Sequence, residues 1–348
     1  MAVVVDCRGG CLSRTPGRSR GPPQDAAAAS AGRGGGRLTR TERLAVLVHR
    51  LCARPGALWS LRELADGTGA ARSTVSEDLA VVRRGLEFVG GGRLEGVPGP
   101  TGGVRFLPAL TGSRLQQTVR SLAEALAKPD RVLPGGFLFM TDVLFSPEWS
   151  RLIGECFAGA FAGARPDVVV TVETKGIPIA LMTARAMGLP MVLLRRDARL
   201  TEGPSVSISY VSGSAQRIQR MSVPRRSLTP GARALVVDDF MKGGGTARGM
   251  VELLAEVGAH PVAIGVVVAT AQPAGKRVAD FRSLLILDQG TEEGRPMRLR
   301  VASWIKEPAE APVRPAALEP VRRNRRGPGA AEAVVGAESA SDPGQPVR

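Results

Sequence analysis

The segment 234–250, ALVVDDFMKGGGTARGM, constrains this chain more than any other. Its apolar run, 234–237, reads as a buried parallel strand. Met250, Leu253, Leu254 and Val257 then recur at helical spacing until Gly258 supplies a stop. Asp238 and Asp239 therefore stand at the carboxyl end of a strand, where open α/β sheets bind ligands. Gly243, Gly244 and Gly245 let backbone N–H groups approach an anion closely. Thr246 opens a helix whose free N–H groups and partial positive charge suit a phosphate. Carboxylates for ribose hydroxyls, followed by a phosphate cradle, describe a sugar-phosphate site.

Other glycine loops order their residues differently. A Walker loop places Lys after the last glycine, whereas Lys242 precedes all three, and the dinucleotide fingerprint puts its acid about 20 residues beyond the glycines. The bland alternatives are an acid pair holding a metal and glycines making only a tight turn. The whole string resembles the phosphoribosyl-pyrophosphate (PRPP) motif of type I phosphoribosyltransferases. That resemblance implies an α/β fold with a parallel sheet, flanking helices and a flap.

The chain's 348 residues leave room for two domains, and its formal charge of +15 points to a polyanionic partner or a phosphate-rich ligand. Its four cysteines, Cys7, Cys11, Cys52 and Cys156, lack the paired spacing of a zinc site and read as reduced thiols of a cytoplasmic protein. The apolar start at 2–5 is too short for a signal peptide, and no run has the length of a membrane helix, so no membrane partner is expected. No metal site or resident cofactor is expected either.

Composition divides the chain. Residues 1–36 and 307–348 are rich in Gly, Ala, Pro and Arg without apolar periodicity and read as disordered extensions. Residues 37–108 have the grammar of a winged helix-turn-helix. Leu44, Leu47, Val48 and Leu51 mark a first helix, and Ser60 caps a second. A turn at 66–69 leads to a third helix that carries Val75, Leu79 and Val82 inward. The strands 93–97 and 104–107 form a hairpin that can serve as a wing. For DNA, the candidate contacts are Arg72, Ser73, Thr74 and Ser76 at the front of the third helix, Arg93 and Arg105 on the wing, and Arg37 and Arg40 at the start of the block. Eleven Arg and no Lys against seven acids leave this block at +4. The same fold also serves as a dimerisation or regulatory module.

Residues 109–306 form the second domain. A strand at 168–172, the loop 173–176 and a helix from Pro178 to Gly188 make a second βα unit. Thr174, Lys175 and Gly176 in its loop can hold a pyrophosphate, although a simple connection explains the same residues. The stretch 195–228 carries seven arginines against two acids and reads as a mobile flap or hairpin over an anionic ligand.

Taken together, the winged helix, the GGF segment 135–137, VETKGIPIA, RLTEGPSVSISYVSGSAQRIQRMS and VVDDFMKGGGT resemble the purine operon repressor of Gram-positive bacteria over nearly all of 37–306. The resemblance implies a homodimeric transcription repressor of purine synthesis and transport genes. Its operator binding would be relieved by PRPP, and guanosine tetraphosphate would compete for the same pocket. Carried over, Asp238 and Asp239 bind the ribose hydroxyls. Lys242 through Thr246 hold the 5-phosphate after Phe240 and Met241, and Thr174, Lys175 and Gly176 hold the pyrophosphate. Phe137 stands where relatives have tyrosine, which keeps ring stacking and loses the hydroxyl. Gly243 stands where relatives often have Ala. The reading from another class is an active purine phosphoribosyltransferase with an appended DNA-binding domain.

Overall fold

The computed structural model describes residues 38–133, 137–196, 203–211, 218–288 and 298–306. The expected extensions 1–36 and 307–348, together with Arg37 and Gly135, lie outside the described residues. Three helices open the chain: α1 (Arg40–Ala53), α2 (Leu61–Asp66) and α3 (Arg72–Val89). Thr39 with Glu42, and Ser60 with Glu63, each form a reciprocal capping box that satisfies orphan N–H groups at the starts of α1 and α2. The antiparallel strands β1 (Arg93–Val97) and β2 (Gly103–Leu107) follow as the wing. Leu47, Leu51, Leu64, Val75, Leu79, Val82, Leu94 and Phe106 close a core of their own. Val48, expected on the buried face of α1, is 39% exposed because Leu44, Leu47 and Leu51 already fill the seam against α3.

After the wing come α4 (Gly112–Leu126), the short strands β3 (Val132–Leu133) and β4 (Phe137–Leu138), α5 (Thr141–Leu144) and α6 (Pro147–Phe161). The second domain continues with β5 (Val168–Val172), α7 (Gly176–Met187), β6 (Met191–Leu194), and a hairpin of β7 (Ser205–Val211) and β8 (Ile218–Pro224). It ends with β9 (Arg233–Met241), α8 (Gly245–Glu256), β10 (His260–Thr270), β11 (Phe281–Asp288) and β12 (Arg298–Val301). Six strands form one sheet in the order β12-β11-β10-β9-β5-β6, parallel except for the antiparallel edge β12. Strand β5 is buried along its whole length, and in β9 the buried run extends from Ala234 to Asp238, as expected of strands covered on both faces. No helix among the described residues is long and apolar enough to cross a membrane.

Two boundaries depart from the sequence reading. Strand β9 does not stop at Val237. It stays paired with β10 through Asp238, Phe240 and Met241, since backbone pairing does not depend on apolar side chains. Helix α7 begins at Gly176, two residues before Pro178. The stretch read as a mobile flap or hairpin is, in its described part, a regular hairpin, with Ser205 opposite Pro224 and Val211 opposite Ile218.

Candidate functional site

Strand β9 delivers Asp238 and Asp239 beside the start of α8. The turn between them ends at Gly244, which caps α8 at φ +78°, a left-handed conformation that L side chains resist. Phe137, Asp238 and residues 240–247 line one small, half-open pocket of about 60 Å³. The turn is held from behind. The Gly243 carbonyl accepts the Arg277 N–H at 3.0 Å, and the Lys242 carbonyl accepts the Thr270 hydroxyl at 3.2 Å and the Lys276 ammonium. No residue of 270–277 stood out in the sequence, because its role is to brace a loop some thirty residues away.

The second loop joins the first through the sheet. Strands β5 and β9 are parallel neighbours, with Val168 beside Ala234 and Val170 beside Val236. Their carboxyl ends therefore present 173–176 and 238–246 side by side. A Cβ on Gly176 would lie 2.2 Å from Thr171 Oγ1 and 3.2 Å from Asp238 Oδ1, so the start of α7 is seated against the acid pair. The starts of α7 and α8 therefore both lie beside Asp238, at the carboxyl ends of neighbouring parallel strands. Glu173 fixes the rim: its Oε1 accepts the Arg196 N–H at 2.6 Å, and its carboxylate stands 3.9 Å from the Arg195 guanidinium.

Burial and the adjacent Asp239 charge push the Asp238 carboxyl well above the usual carboxylate range, against the Asp239 N–H, which donates to Asp238 Oδ1 at 2.9 Å. Burial also raises Asp239, and the Lys175 ammonium opposes this. The pair is poised to gain from hydroxyl donors and a cation-rich rim, and the Arg196 charge already acts on Asp238.

Phe137 is brought to this cleft from β4. Its ring lies 6.2 Å from Phe240, and the Lys242 ammonium stands 5.4 Å from its centroid. Lys242 therefore reaches the aromatic edge of the cleft as well as the phosphate turn. Tyr210, the only tyrosine of the chain, was not singled out in the sequence. It is buried from the β7–β8 hairpin against α8, where a Cβ on Gly249 would lie 2.9 Å from its Cγ. Its hydroxyl donates to Gln219 Oε1 at 2.8 Å, which ties the two strands of the hairpin together where they pack on α8. Burial raises its phenol above the usual range.

The candidate DNA-contacting residues divide. Arg72, Ser73 and Ser76 are exposed on the first turn of α3 and Thr74 is half-buried; Ala71 caps this helix without a side-chain bond, leaving its N–H groups open. Arg40 is 62% exposed, yet its Nε lies 3.3 Å from Asp78, which is 1% exposed and also takes Arg43 at 2.9 Å. Asp78 was missed, although its place between Val75 and Val82 puts it on the inward stripe. Arg93 and Arg105 do not sit at the tip of the wing: they line a cleft of about 570 Å³ between the hairpin and the second domain, facing Arg165, Asp167 and Met187. Arg105 there pairs with Glu95 at 2.6 Å, because the two residues are cross-strand partners.

Comparison with known proteins agrees with this two-part architecture. Residues 39–108 match the family described as bacterial purine repressor, N-terminal, and residues 146–294 match the phosphoribosyl transferase domain. The chain is 41% identical over 267 residues to the purine biosynthesis transcriptional repressor PurR of Bacillus subtilis, covering 77% of this chain and 94% of that one. It is 37% identical over 252 residues to the purine biosynthesis transcriptional activator PurR of Lactococcus lactis subsp. lactis, covering 72% and 93%. With the xanthine phosphoribosyltransferase of Deinococcus deserti it shares 33% identity over 162 residues, 45% of this chain and 84% of the enzyme. A winged helix with an open recognition-helix start, joined end to end with a phosphoribosyltransferase domain and matched along nearly the whole of its relatives, places the chain in the family of PurR transcription regulators of purine biosynthesis.

Proposed function

We propose that this chain is a PRPP-responsive repressor of purine biosynthesis and transport genes, acting as a homodimer on operator DNA. The observation that supports this reading is the pocket lined by Asp238 and residues 240–247, with the start of α7 at Gly176 seated against Asp238, in a chain that also carries the N-terminal domain of the bacterial purine repressors. Asp238 and Asp239 accept the ribose hydroxyls. The N–H groups of 243–246 hold the 5-phosphate, and Thr174, Lys175 and Gly176 hold the pyrophosphate. The negative charge of PRPP, or the domain arrangement it selects, weakens binding to DNA phosphates; by linkage, operator DNA weakens PRPP binding by the same factor. Guanosine tetraphosphate, with its own pyrophosphates, competes at this cleft. Turnover is not expected, because the relatives matched along nearly their whole length are transcription regulators; a transferase would need, beyond PRPP binding, further groups to activate a base.

Fluorescence anisotropy of a labelled purine-gene control region, titrated at one fixed salt concentration with and without PRPP, tests the proposal. Tight binding relieved by PRPP is the expected outcome. Equal operator affinity in both arms would sink it. The similarity to xanthine phosphoribosyltransferase favours one rival, an active enzyme. Pyrophosphate release from PRPP in the presence of xanthine, guanine or hypoxanthine would establish that one instead. Arg72→Ala is expected to weaken operator binding about 10- to 100-fold, as loss of one specific base contact does, without changing PRPP affinity. An unchanged operator affinity would remove Arg72 from the interface.

A further inference from the structure

Helix α7 has one end in the effector cleft and the other against the winged helix. At its start, Gly176 packs on Thr171 and on Asp238 Oδ1 so closely that no side chain fits. Twelve residues later it ends at Gly188, φ +67°, whose backbone meets that of Gly56 in the turn after α1. A Cβ on Gly56 would lie 2.3 Å from the Gly188 Cα, and a Cβ on Gly188 would lie 2.6 Å from the Gly56 Cα. Gly56 is in turn bound to the wing, donating its N–H to the Phe106 carbonyl at 2.7 Å. The last turn of α7 also faces α1, where the Arg185 charge acts on the Cys52 thiol.

We propose that α7 carries the effector signal to the DNA-binding domain, with Gly56 and Gly188 as the positioning contact that sets the winged helix relative to the PRPP cleft. The inference rests on the PRPP-induction reading given above. Its physical basis is stiffness. A helix of 12 residues spans about 18 Å, and its hydrogen-bonded ladder resists axial compression. Sideways give is limited too, because α6 lies against its middle: a Cβ on Gly154 would come within 2.6 Å of the Met182 carbonyl carbon. At the far end, backbone meets backbone with no side chain between, so a displacement there cannot be absorbed by a rotamer change. Beside this point contact lies the cleft between wing and second domain, lined by Ala186, Met187 and Leu189, which leaves the winged helix room to pivot.

The test compares the full-length protein with Gly188→Ala and with Gly231→Ala. Gly231 has a similar left-handed backbone, φ +83°, but open space around its Cβ, so it carries the conformational cost without the wedge. Operator affinity is measured with and without saturating PRPP, and PRPP affinity by calorimetry without DNA. The wedge in Gly188→Ala sets the winged helix whether or not PRPP is bound. The expected result is PRPP affinity within about 3-fold of wild type and an operator affinity ratio reduced at least tenfold towards one, with Gly231→Ala retaining the wild-type ratio. A wild-type ratio in Gly188→Ala overturns the link while leaving induction standing; a ratio of one in the unsubstituted protein overturns induction and the link with it. Hydrogen exchange of the unsubstituted protein decides the matter if Gly188→Ala fails to fold. PRPP is expected to change exchange at 54–57 as well as at 174–176, and a change confined to 174–176 overturns the proposal.

Discussion

Asp238→Asn is expected to lower PRPP affinity about 10- to 100-fold while raising the melting temperature of the ligand-free protein. The first effect follows from hydrogen bonds to a charged acceptor, each contributing about 1.5–3 kcal/mol, when the ribose hydroxyls lose a carboxylate. The second follows from the position of Asp238 in β9. Burial and the neighbouring Asp239 raise its folded pKa above its unfolded value. The sign is therefore opposite to that of an ion-paired acid: its contribution to stability is fully present below the unfolded pKa and is lost as pH rises through the folded one. Wherever the pair is ionised its burial opposes folding and a bound ligand relieves it; a neutral amide carries no such cost, so the variant melts higher. Asp239→Asn should show the same loss of affinity with a smaller gain in stability, since the Lys175 ammonium already offsets part of its burial. Binding should also weaken on acidification at a pH above the usual carboxylate range, as the pair takes up a proton. Calorimetry with PRPP and thermal melts without it check both halves, and a variant that melts lower while binding PRPP normally would contradict this account of the pair.

Asp78→Ala is expected to destabilise the winged helix so far that it melts well before the second domain. Asp78 holds Arg43 at 2.9 Å and Arg40 at 3.3 Å, and Arg43 is itself largely buried. Removing one partner of a buried pair strands the other charge, which costs about 3–5 kcal/mol. A block of some seventy residues with one small core has a total stability of about 4–10 kcal/mol. The melting curve should split into two transitions, with operator binding lost and PRPP binding kept. Arg43→Met with Asp78→Leu should recover much of the loss, because an apolar pair of similar volume avoids the desolvation of both charges, and Arg40 can turn to water. Asp78→Ala within 1 kcal/mol of wild type would show that the pair contributes little.

The elements of the fold were legible wherever the code is local. Capping at Ser60 with Glu63, the inward stripe of Val75, Leu79 and Val82, the wing strands, and the order of strand, acids, glycines and helix in 234–258 are all set within a few residues of one another, so spacing alone exposes them. The grouping of Asp238, the three glycines and Thr246 in one pocket was legible for the same reason: they lie close together on one strand-turn-helix unit. Strand ends were less so, because β9 runs on through Asp238 to Met241 by pairing with β10, a neighbour some thirty residues away in sequence.

What only the tertiary structure decided were the meetings of distant residues. Sheet order brings 174–176 beside Asp238, and the hairpin folds back to set Tyr210 on Gly249. Lys276 braces Lys242 from a loop with no motif of its own. Arg93 and Arg105 share the face of the wing opposite buried Leu94 and Phe106, and only the placement of the second domain makes that face the wall of a cleft. Sequence by itself determined the two modules and the strand-acids-glycines-helix order of 234–258, because periodicity, caps and glycine spacing act over one turn or one strand. The contact between Gly56 and Gly188 is written in neither local pattern; it exists because two separately encoded backbones approach until no side chain fits between them.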